Sequence, residues 1–288
     1  MSAQPATEES KKDYRTILEE QIGEGLKQLD RRSSGLLISG LSAGLDLGFG
    51  PFLMAVMLTL LGGSFPEATT RILLANMYAL GFIFVIMGRS ELFTEHTTLA
   101  VLPVLGRRAS VRSLARLWGL VFAANLVGGA LFAWLAVVIG PALGVAEQSA
   151  FSEIAASLVD HSWWVVLLSA VLAGWLMGLL SWLVAAGRDT VSQVLFVWLV
   201  AGSIGLAGLH HSIAGTVEVL LGVFAGQGAT LVDFGSFLVW TTLGNALGGV
   251  FFVAVIKYGH AVRGGGQRQE VSADDLGPAK VRAGSPAP

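Results

Sequence analysis

The chain of 288 residues contains no cysteine, and only 13% of its residues are charged. The absence of cysteine excludes disulfide bonds and metal sites built from thiolates. Soluble domains carry about twice this fraction of charged residues. With a net charge of −2, the chain also lacks the basic excess of nucleic-acid-binding proteins, so no nucleic-acid partner is expected. Residues 1–12 are polar and contain no apolar core, so no signal peptide is expected.

Apolar sequence takes the place of the missing charge, with 53% of the residues hydrophobic. A helix needs ~20 predominantly apolar residues to cross a bilayer. Six segments reach that length, near residues 35–62, 72–105, 114–143, 163–186, 191–224 and 235–259. The sequence therefore predicts an all-α integral membrane protein with six transmembrane helices embedded in a lipid bilayer.

Lysine and arginine concentrate in alternate connections between these segments. They precede the first span, lie between the second and third and between the fourth and fifth, and follow the sixth; examples are Arg31, Arg32, Arg107, Arg108, Arg188 and Lys257. Cytoplasmic loops carry an excess of positive charge. This pattern, together with the even number of spans, predicts a multi-pass protein with cytoplasmic N- and C-termini.

The remaining sequence divides into tails and one further helix. Residues 1–12 and 261–288 are rich in glycine, proline, serine or charge, and are predicted to be disordered cytoplasmic tails. Residues 13–33 place apolar side chains at near-helical spacing, which predicts an amphipathic helix. Location at the cytoplasmic membrane interface and packing on the bundle explain that pattern equally well. Residues 34–260 are predicted to form the six-span transmembrane domain.

Three short motifs recur in the two halves of the chain in the same order. Asn125–Gly129 in the first half corresponds to Asn245–Gly249 in the second. In the same way, Ser42–Gly44 corresponds to Leu172–Gly174, and Leu92–Thr94 corresponds to His210–Ser212. Three spans in each half require that the halves have opposite orientations. The chain is therefore predicted to be an inverted 3+3 repeat with broken second and fifth helices. Such repeats commonly place the substrate site near the bilayer midplane.

The second span carries ionisable residues around its interruption, namely Arg89, Glu91, Glu95 and His96. Ionisable side chains in a membrane segment are costly, so they are expected to face a cavity or the protein interior. At helical spacing Glu91 and Glu95 share one face, and Arg89 is expected to pair with a carboxylate. An internal ion-pair network and direct contact with a substrate are both compatible with this pattern.

The second interruption contains His211, the strongest single candidate for a functional residue. An imidazole in mid-membrane can donate a hydrogen bond or a proton to a permeating ion. The neighbouring His210 is expected either to line a vestibule or to pack. At the first interruption, Leu92 and Phe93 are expected to form an apolar constriction, with ordinary bundle packing as the alternative.

One motif suggests an enzyme, because Gly40-Leu-Ser-Ala-Gly44 matches the Gly-x-Ser-x-Gly pattern of serine hydrolases. That pattern requires a turn between a strand and a helix. Here Ser42 lies at the start of a transmembrane segment, which argues against a hydrolase using Ser42. The sequence also contains no metal-ligand spacing and no phosphate-binding loop, so we expect no enzyme activity, no cofactor and no metal site.

Over residues 14–260 the chain resembles the formate/nitrite transporter family. The matching features are the amphipathic N-terminal helix, the six spans, Leu92-Phe93-Thr94, His211-Ser212-Ile213-Ala214 and Gly244-Asn245-x-x-Gly248-Gly249. The resemblance implies an aquaporin-like protomer with its own pore, assembled as a homopentamer in the bacterial inner membrane. It also implies passage of small monovalent anions such as formate, nitrite or hydrosulfide. By the same resemblance, Leu92, Phe93 and Thr94 shape a constriction and His211 faces the substrate.

The chain departs from the family pattern at several positions. His210 stands where the family has an acidic or small residue, and Leu158 stands where it has a basic one. The charged residues around Leu92–Thr94 are also unusual. The leading hypothesis is a channel for a small monovalent anion, with proton exchange at His211. The alternative is a channel for a neutral or cationic small solute, which Glu91 and Glu95 favour.

Overall fold

A computed structural model describes residues 12–264 of the chain. These residues form twelve α-helices and one π-helical segment, Gly248–Val255, between α11 and α12. The helices are α1 (Tyr14–Asp30), α2 (Ser33–Leu61), α3 (Glu67–Met87), α4 (Phe93–Leu99), α5 (Val101–Leu105), α6 (Val111–Ala142), α7 (Gln148–Val159), α8 (Trp163–Ala186), α9 (Thr190–Leu206), α10 (Ser212–Ala225), α11 (Leu231–Leu247) and α12 (Ile256–Gly264). The predicted tails 1–12 and 261–288 lie outside the described residues, apart from residue 12 and residues 261–264.

Membrane crossings account for most of these helices. Among the described residues, α2, α3, α6, α8 and the continuous helical stretch Leu231–His260 are long and apolar enough to cross a bilayer. The shorter apolar helices α9 and α10 follow one another and occupy the stretch predicted as the broken fifth span. The predicted all-α fold with six spans is confirmed.

Both predicted interruptions are present, and each has the same backbone plan. The first lies between Met87 and Phe93, and the second between Leu206 and Ser212. At each break one residue adopts a left-handed conformation, Arg89 with φ 59° and Gly208 with φ 61°. The residue before each following helix, Leu92 or His211, is extended.

This backbone correspondence corrects the alignment of the two halves by one residue. The sequence comparison placed Leu92 opposite His210. In the structure Leu92 and His211 both occupy the N-cap position of the helix that follows their break, so they are the equivalent pair. Glu91 is then equivalent to His210. The motif comparison failed here because Leu92–Thr94 and His210–Ser212 have no residue in common that would set the register.

Close helix packing inside each half depends on glycine at equivalent positions. A Cβ at Gly44 in α2 would overlap the Asn125 carbonyl oxygen of α6. A Cβ at Gly174 in α8 would overlap the Asn245 carbonyl oxygen of α11 in the same way. Small residues let transmembrane helices approach closely and gain van der Waals contact. Across the boundary between the halves, α3 packs along α9.

The helix α1 places its apolar face against the bundle. Its buried residues Ile17, Leu18 and Ile22 pack with Leu102 of α5 and Trp182 of α8. The structure thus shows the packing contact, which was one of the two explanations of the amphipathic pattern. The depth of α1 relative to a bilayer stays a prediction.

The Gly40–Gly44 segment does not have hydrolase geometry. It lies inside the continuous helix α2, so the required strand and turn are absent at Ser42. The Ser42 hydroxyl donates to Asp46 Oδ2 at 3.0 Å, and Ser90 donates to the same carboxylate oxygen at 3.1 Å. Ser42 therefore belongs to a small polar contact between α2 and the first break.

Candidate functional site

An asparagine side chain holds the backbone at the first break. Asn125 in α6 accepts a hydrogen bond from the Phe93 N–H at 2.9 Å and donates to the Gly40 carbonyl at 2.8 Å. Its second amide hydrogen goes to the Glu91 carbonyl at 2.9 Å. Breaking a helix in a membrane frees backbone groups that water does not reach, so the protein must satisfy them. Asn125 satisfies one such group on either side of Leu92.

Asn245 in α11 makes the same three bonds at the second break. It accepts from the Ser212 N–H at 2.8 Å and donates to the carbonyls of Ala170 at 2.8 Å and His210 at 3.0 Å. Asn125 and Asn245 are both fully buried. Both asparagines thus make interhelical hydrogen bonds to the backbone of the breaks.

His211 and Thr94 join the two breaks through a side-chain hydrogen bond. His211 Nδ1 accepts the Ala214 N–H at 3.1 Å, so in the neutral ring the hydrogen lies on Nε2. His211 Nε2 lies 2.8 Å from Thr94 Oγ1 and donates to it. The Thr94 oxygen thus acts as an acceptor. Within residues 12–264, no further side chain or carbonyl takes the hydrogen of the Thr94 hydroxyl.

Aromatic rings of α3 cover one side of this pair. The Phe82 ring lies edge-on to His211 with 5.0 Å between ring centroids, and Tyr78 lies 5.1 Å from Phe82. By contrast, Phe93 packs on α6, with its ring 4.8 Å from that of Phe122. Phe82 is thus an aromatic ring that meets His211, whereas Phe93 is engaged by α6.

The side chain of His210 is held from both ends of its ring. Nδ1 lies 2.8 Å from the Ser169 hydroxyl, and Nε2 lies 3.0 Å from the Leu158 carbonyl. A carbonyl only accepts, so Nε2 carries the hydrogen and Nδ1 accepts from Ser169. Both ring nitrogens are satisfied by protein groups in this arrangement. This geometry favours the packing role over the vestibule role for His210.

Glu91 is the centre of an ion-pair network that ties the first break to α1. Its two carboxylate oxygens lie 2.6 Å from an Arg31 guanidinium nitrogen and 2.5 Å from His96 Nε2. The pairing expected between Arg89 and a carboxylate is absent from the described residues, because Arg31 takes that position. Glu91 and Glu95 do not share a helix face, since residues 88–92 are not helical, but both side chains line the cavity between α1 and the first break.

Arg89 and Glu95 face a cavity of about 80 Å³ between α1 and the first break. Glu24 and Gln28 of α1 line the same cavity. Arg89 is exposed and makes no ion pair with any residue from 12 to 264. A non-glycine residue in the left-handed conformation costs about 1–2 kcal/mol, and the equivalent residue is glycine. Strain of this kind is often retained for function.

Three residues of this site are not predicted from the sequence as site residues. Tyr78 and Phe82 are four positions apart immediately before the break, so their helical spacing already placed them on one face. Arg31 was used only as evidence for topology. Its pairing with Glu91 joins residues far apart in sequence, and no local pattern signals such a contact. Among the described residues, no group of three or more histidine, aspartate or glutamate side chains is placed to hold a metal ion.

Comparison with known proteins identifies relatives of the whole transmembrane domain. The family described as formate/nitrite transporter matches residues 15–259. Inner membrane protein YfdC of Escherichia coli (strain K12) is 33% identical over 243 residues, which cover 82% of this chain and 74% of YfdC.

Two solved structures share the fold. A chain described as an FNT family ion channel aligns with a TM-score of 0.76 and 24% identity, covering 85% of this chain and 98% of that one. A second, described as a pentameric formate channel with formate bound, aligns with a TM-score of 0.65 and 21% identity, covering 80% and 98%. At this identity the likeness shows the aquaporin-like fold.

Replacing Asn245 by aspartate tests the asparagine bonds at the second break. Asn245→Asp keeps the acceptor for Ser212 but removes both donors, so the His210 carbonyl loses its hydrogen bond and the Ala170 carbonyl inside α8 loses its interhelical one. Each unsatisfied buried group costs about 1–3 kcal/mol. We expect a clearly lower midpoint of thermal unfolding in detergent, followed by tryptophan fluorescence.

Asn76→Asp is the matched control. The Asn76 amide donates within its own helix to the Ile72 carbonyl, and an aspartate there still accepts from Trp198. We expect its unfolding midpoint to stay near that of the wild type. Equal midpoints for Asn245→Asp and the wild type would contradict the role given to Asn245.

Proposed function

Because the chain belongs to the formate/nitrite transporter family, we propose that it is a channel for a small monovalent anion of the formate and nitrite type. Its family is one of transporters and channels, not of enzymes. The observation that carries the proposal is the hydrogen bond from His211 to Thr94, which joins the two breaks.

The Thr94 hydroxyl is suited to donate a hydrogen bond to an anion. Its oxygen already accepts the His211 N–H, so its own hydrogen is directed elsewhere. A hydroxyl that accepts one hydrogen bond becomes a stronger donor, because successive bonds polarise one another. His211 also caps α10, whose N-terminus contributes partial positive charge next to the pair. An oxygen of formate or nitrite fits such a donor.

Apolar side chains next to Thr94 would force a permeating anion to lose water. Phe82 lies against His211, and Leu92 is fully buried beside the first break. Hydrophobic constrictions oppose the passage of hydrated ions. The hydrogen bond from Thr94 would replace part of the lost hydration, as required at such a constriction.

Arg89 is the proposed site of anion attraction on the α1 side. Its guanidinium is exposed at the mouth of the cavity beside the first break. An unpaired cation near a low-dielectric entrance raises the local concentration of anions. This role also gives a reason for an arginine at a left-handed position where the other half has Gly208.

The relatives support a proposal for the assembly and location of this chain. One structural neighbour is described as a pentameric formate channel, and YfdC is described as an inner membrane protein. We propose that this chain likewise forms a homopentamer in the bacterial inner membrane. The positive charges near Arg31, Arg107 and Arg188 support cytoplasmic termini, with α1 on the cytoplasmic side.

One observation favours a second candidate solute. Glu24 and Glu95 line the same cavity as Arg89, so its entrance carries charge of both signs. A channel for a neutral or cationic small solute would use the carboxylates in place of Arg89. The sign of the permeant ion therefore separates the two candidates.

Arg89→Gln tests the solute charge and the role of the cation together. We expect wild-type protein in planar bilayers to show a reversal potential that follows the formate gradient. The variant is expected to pass about tenfold less formate current at low salt, with a smaller difference at high salt, because screening weakens long-range attraction. Arg112→Gln at the exposed start of α6 is the control. A reversal potential that follows the cation gradient would favour the second candidate.

Thr94→Val tests the proposed donor while preserving shape. Valine cannot donate to an anion and leaves the His211 N–H without its acceptor. Loss of one hydrogen bond of about 1.4 kcal/mol corresponds to a tenfold change. We expect at least that loss of formate and nitrite uptake into proteoliposomes, whereas Thr94→Ser should retain most of it. Undiminished uptake in Thr94→Val would contradict the proposed site.

His211→Asn separates hydrogen bonding from proton exchange at this position. Asparagine can both cap α10 and donate to Thr94, but it cannot titrate. Proton exchange at His211 would add a hydrogen at Nδ1, the atom that accepts the Ala214 N–H. We therefore expect the variant to keep its formate flux and the pH dependence of that flux between about pH 5 and 8. Loss of the pH dependence would instead assign proton exchange to His211.

A further inference from the structure

The helix α10 carries a second buried ionisable group, Glu218, beyond His211. Resting on the proposed function, we propose that Glu218 is a proton-donating residue of the pathway, which an anion entering from the side opposite α1 meets before it reaches His211. The carboxyl would give its proton to the anion, so that the solute crosses the constriction as the neutral acid.

Glu218 is buried without a partner. Its residue exposure is 5%, and Oε1 is fully enclosed with no hydrogen-bond partner. Among the side chains that the structure describes, no cation lies in ion-pair contact with its carboxyl group. An isolated carboxylate is very costly in such surroundings, whereas a protonated carboxyl is tolerated. An unpaired carboxyl at this depth is typical of proton pathways in membrane proteins.

Glu218 lies on the same face of α10 as His211. The two residues are seven apart, which is close to two helical turns, so they share a face about 10 Å apart along the helix axis. The neighbouring faces of α10 are occupied by packing. Phe237 of α11 fills the space beside Gly215, and Val217 contacts α6 at Gly129. Glu218 therefore points between these contacts, on the His211 side of the helix.

Tyr78 of α3 is a second buried titratable group near this site. Tyr78 stacks on Phe82, and Phe82 contacts His211. The helix α3 runs toward the first break, and α10 runs away from the second. Because the His211–Thr94 hydrogen bond joins the two breaks, Tyr78 and Glu218 lie on the same side of His211. The proposed pathway therefore runs from Glu218 past Phe82 to the His211–Thr94 pair.

The other charged groups on the helices around α10 are accounted for. Asp46 of α2 accepts hydrogen bonds from Ser42 and Ser90 at the first break. Glu153 of α7 is exposed, and Asp233 caps its own helix α11. The remaining charged residues on α4 and α6 are Glu95 beside the α1-side cavity and Arg112 and Arg116 at the start of α6. None of these is paired with Glu218 in the described residues.

The proposed step moves one proton for each anion. The O–H bond of the Glu218 carboxyl breaks and an O–H bond forms on the anion oxygen, giving the neutral acid and a carboxylate. Water entering from the side opposite α1 returns a proton to the carboxylate. The acid passes Phe82, accepts the hydrogen bond of Thr94, and releases its proton to water on the α1 side. His211 stays neutral, since its Nδ1 caps α10 throughout.

Infrared spectroscopy tests the protonation of Glu218 without any transport. The full chain, reconstituted in lipid, is compared with Glu218→Gln and with Glu153→Gln, which changes an exposed carboxyl of α7. We expect a protonated-carboxyl C=O band at neutral pH in the wild type and in Glu153→Gln, and loss of that band in Glu218→Gln. A band of equal intensity in Glu218→Gln would overturn the proposal. Glu218→Asp retains a carboxyl and is expected to retain the band if the glutamine variant does not fold.

Proton counting tests the transfer itself. Proteoliposomes containing a trapped pH indicator are given an inward formate gradient, and formate and proton entry are measured together. We expect close to one proton per formate in the wild type and Glu153→Gln, and at least a tenfold lower ratio in Glu218→Gln. An unchanged ratio would overturn the donor role. If no protein passes formate, the proposed solute fails, and the infrared band alone then decides whether Glu218 carries a proton.

Discussion

The constraint on which this structure depends is the hydrogen bonding of backbone groups inside a membrane. Two broken helices meet near the middle of the bundle, and each break exposes N–H and C=O groups that neither water nor a helix satisfies. Asn125 and Asn245 supply the missing partners from the neighbouring helices. With those bonds in place, the chain can hold Thr94, in the first turn of α4, and His211, at the N-cap of α10, at a fixed distance.

The equivalence of the two halves makes their differences informative. The same position is Arg89 in one half and Gly208 in the other, and the same cap is Leu92 in one and His211 in the other. The halves therefore share a backbone but divide the chemistry. One break carries the charges and the contact with α1, whereas the other carries the imidazole and, two turns beyond it, Glu218.

The sequence predicted the features that arise from local pattern. Long apolar segments indicated the spans, the paired motifs indicated the inverted repeat, and the position of His211 in a break indicated a site. It did not predict the pairing of Glu91 with Arg31, because that contact depends on where α1 packs. The role of His210 was left open for a similar reason, since Ser169 and the Leu158 carbonyl approach it only after folding. The residue-by-residue correspondence of the two breaks is visible only in their backbone conformations, because the residues at equivalent positions differ.

Gly129 and Gly249, which end the two motifs that begin with asparagine, have a consequence for the order in which the protein is assembled. Gly129 in the first half receives Val217 of α10, while Gly249 in the second half receives Thr97 of α4. Each half thus provides a glycine against which the short helix of the other half packs. The segment that contacts α4 belongs to the sixth span and is synthesised after the other five. The backbone of the first break is held by Asn125 of its own half, but its contact with Gly249 forms only after the sixth span has been made.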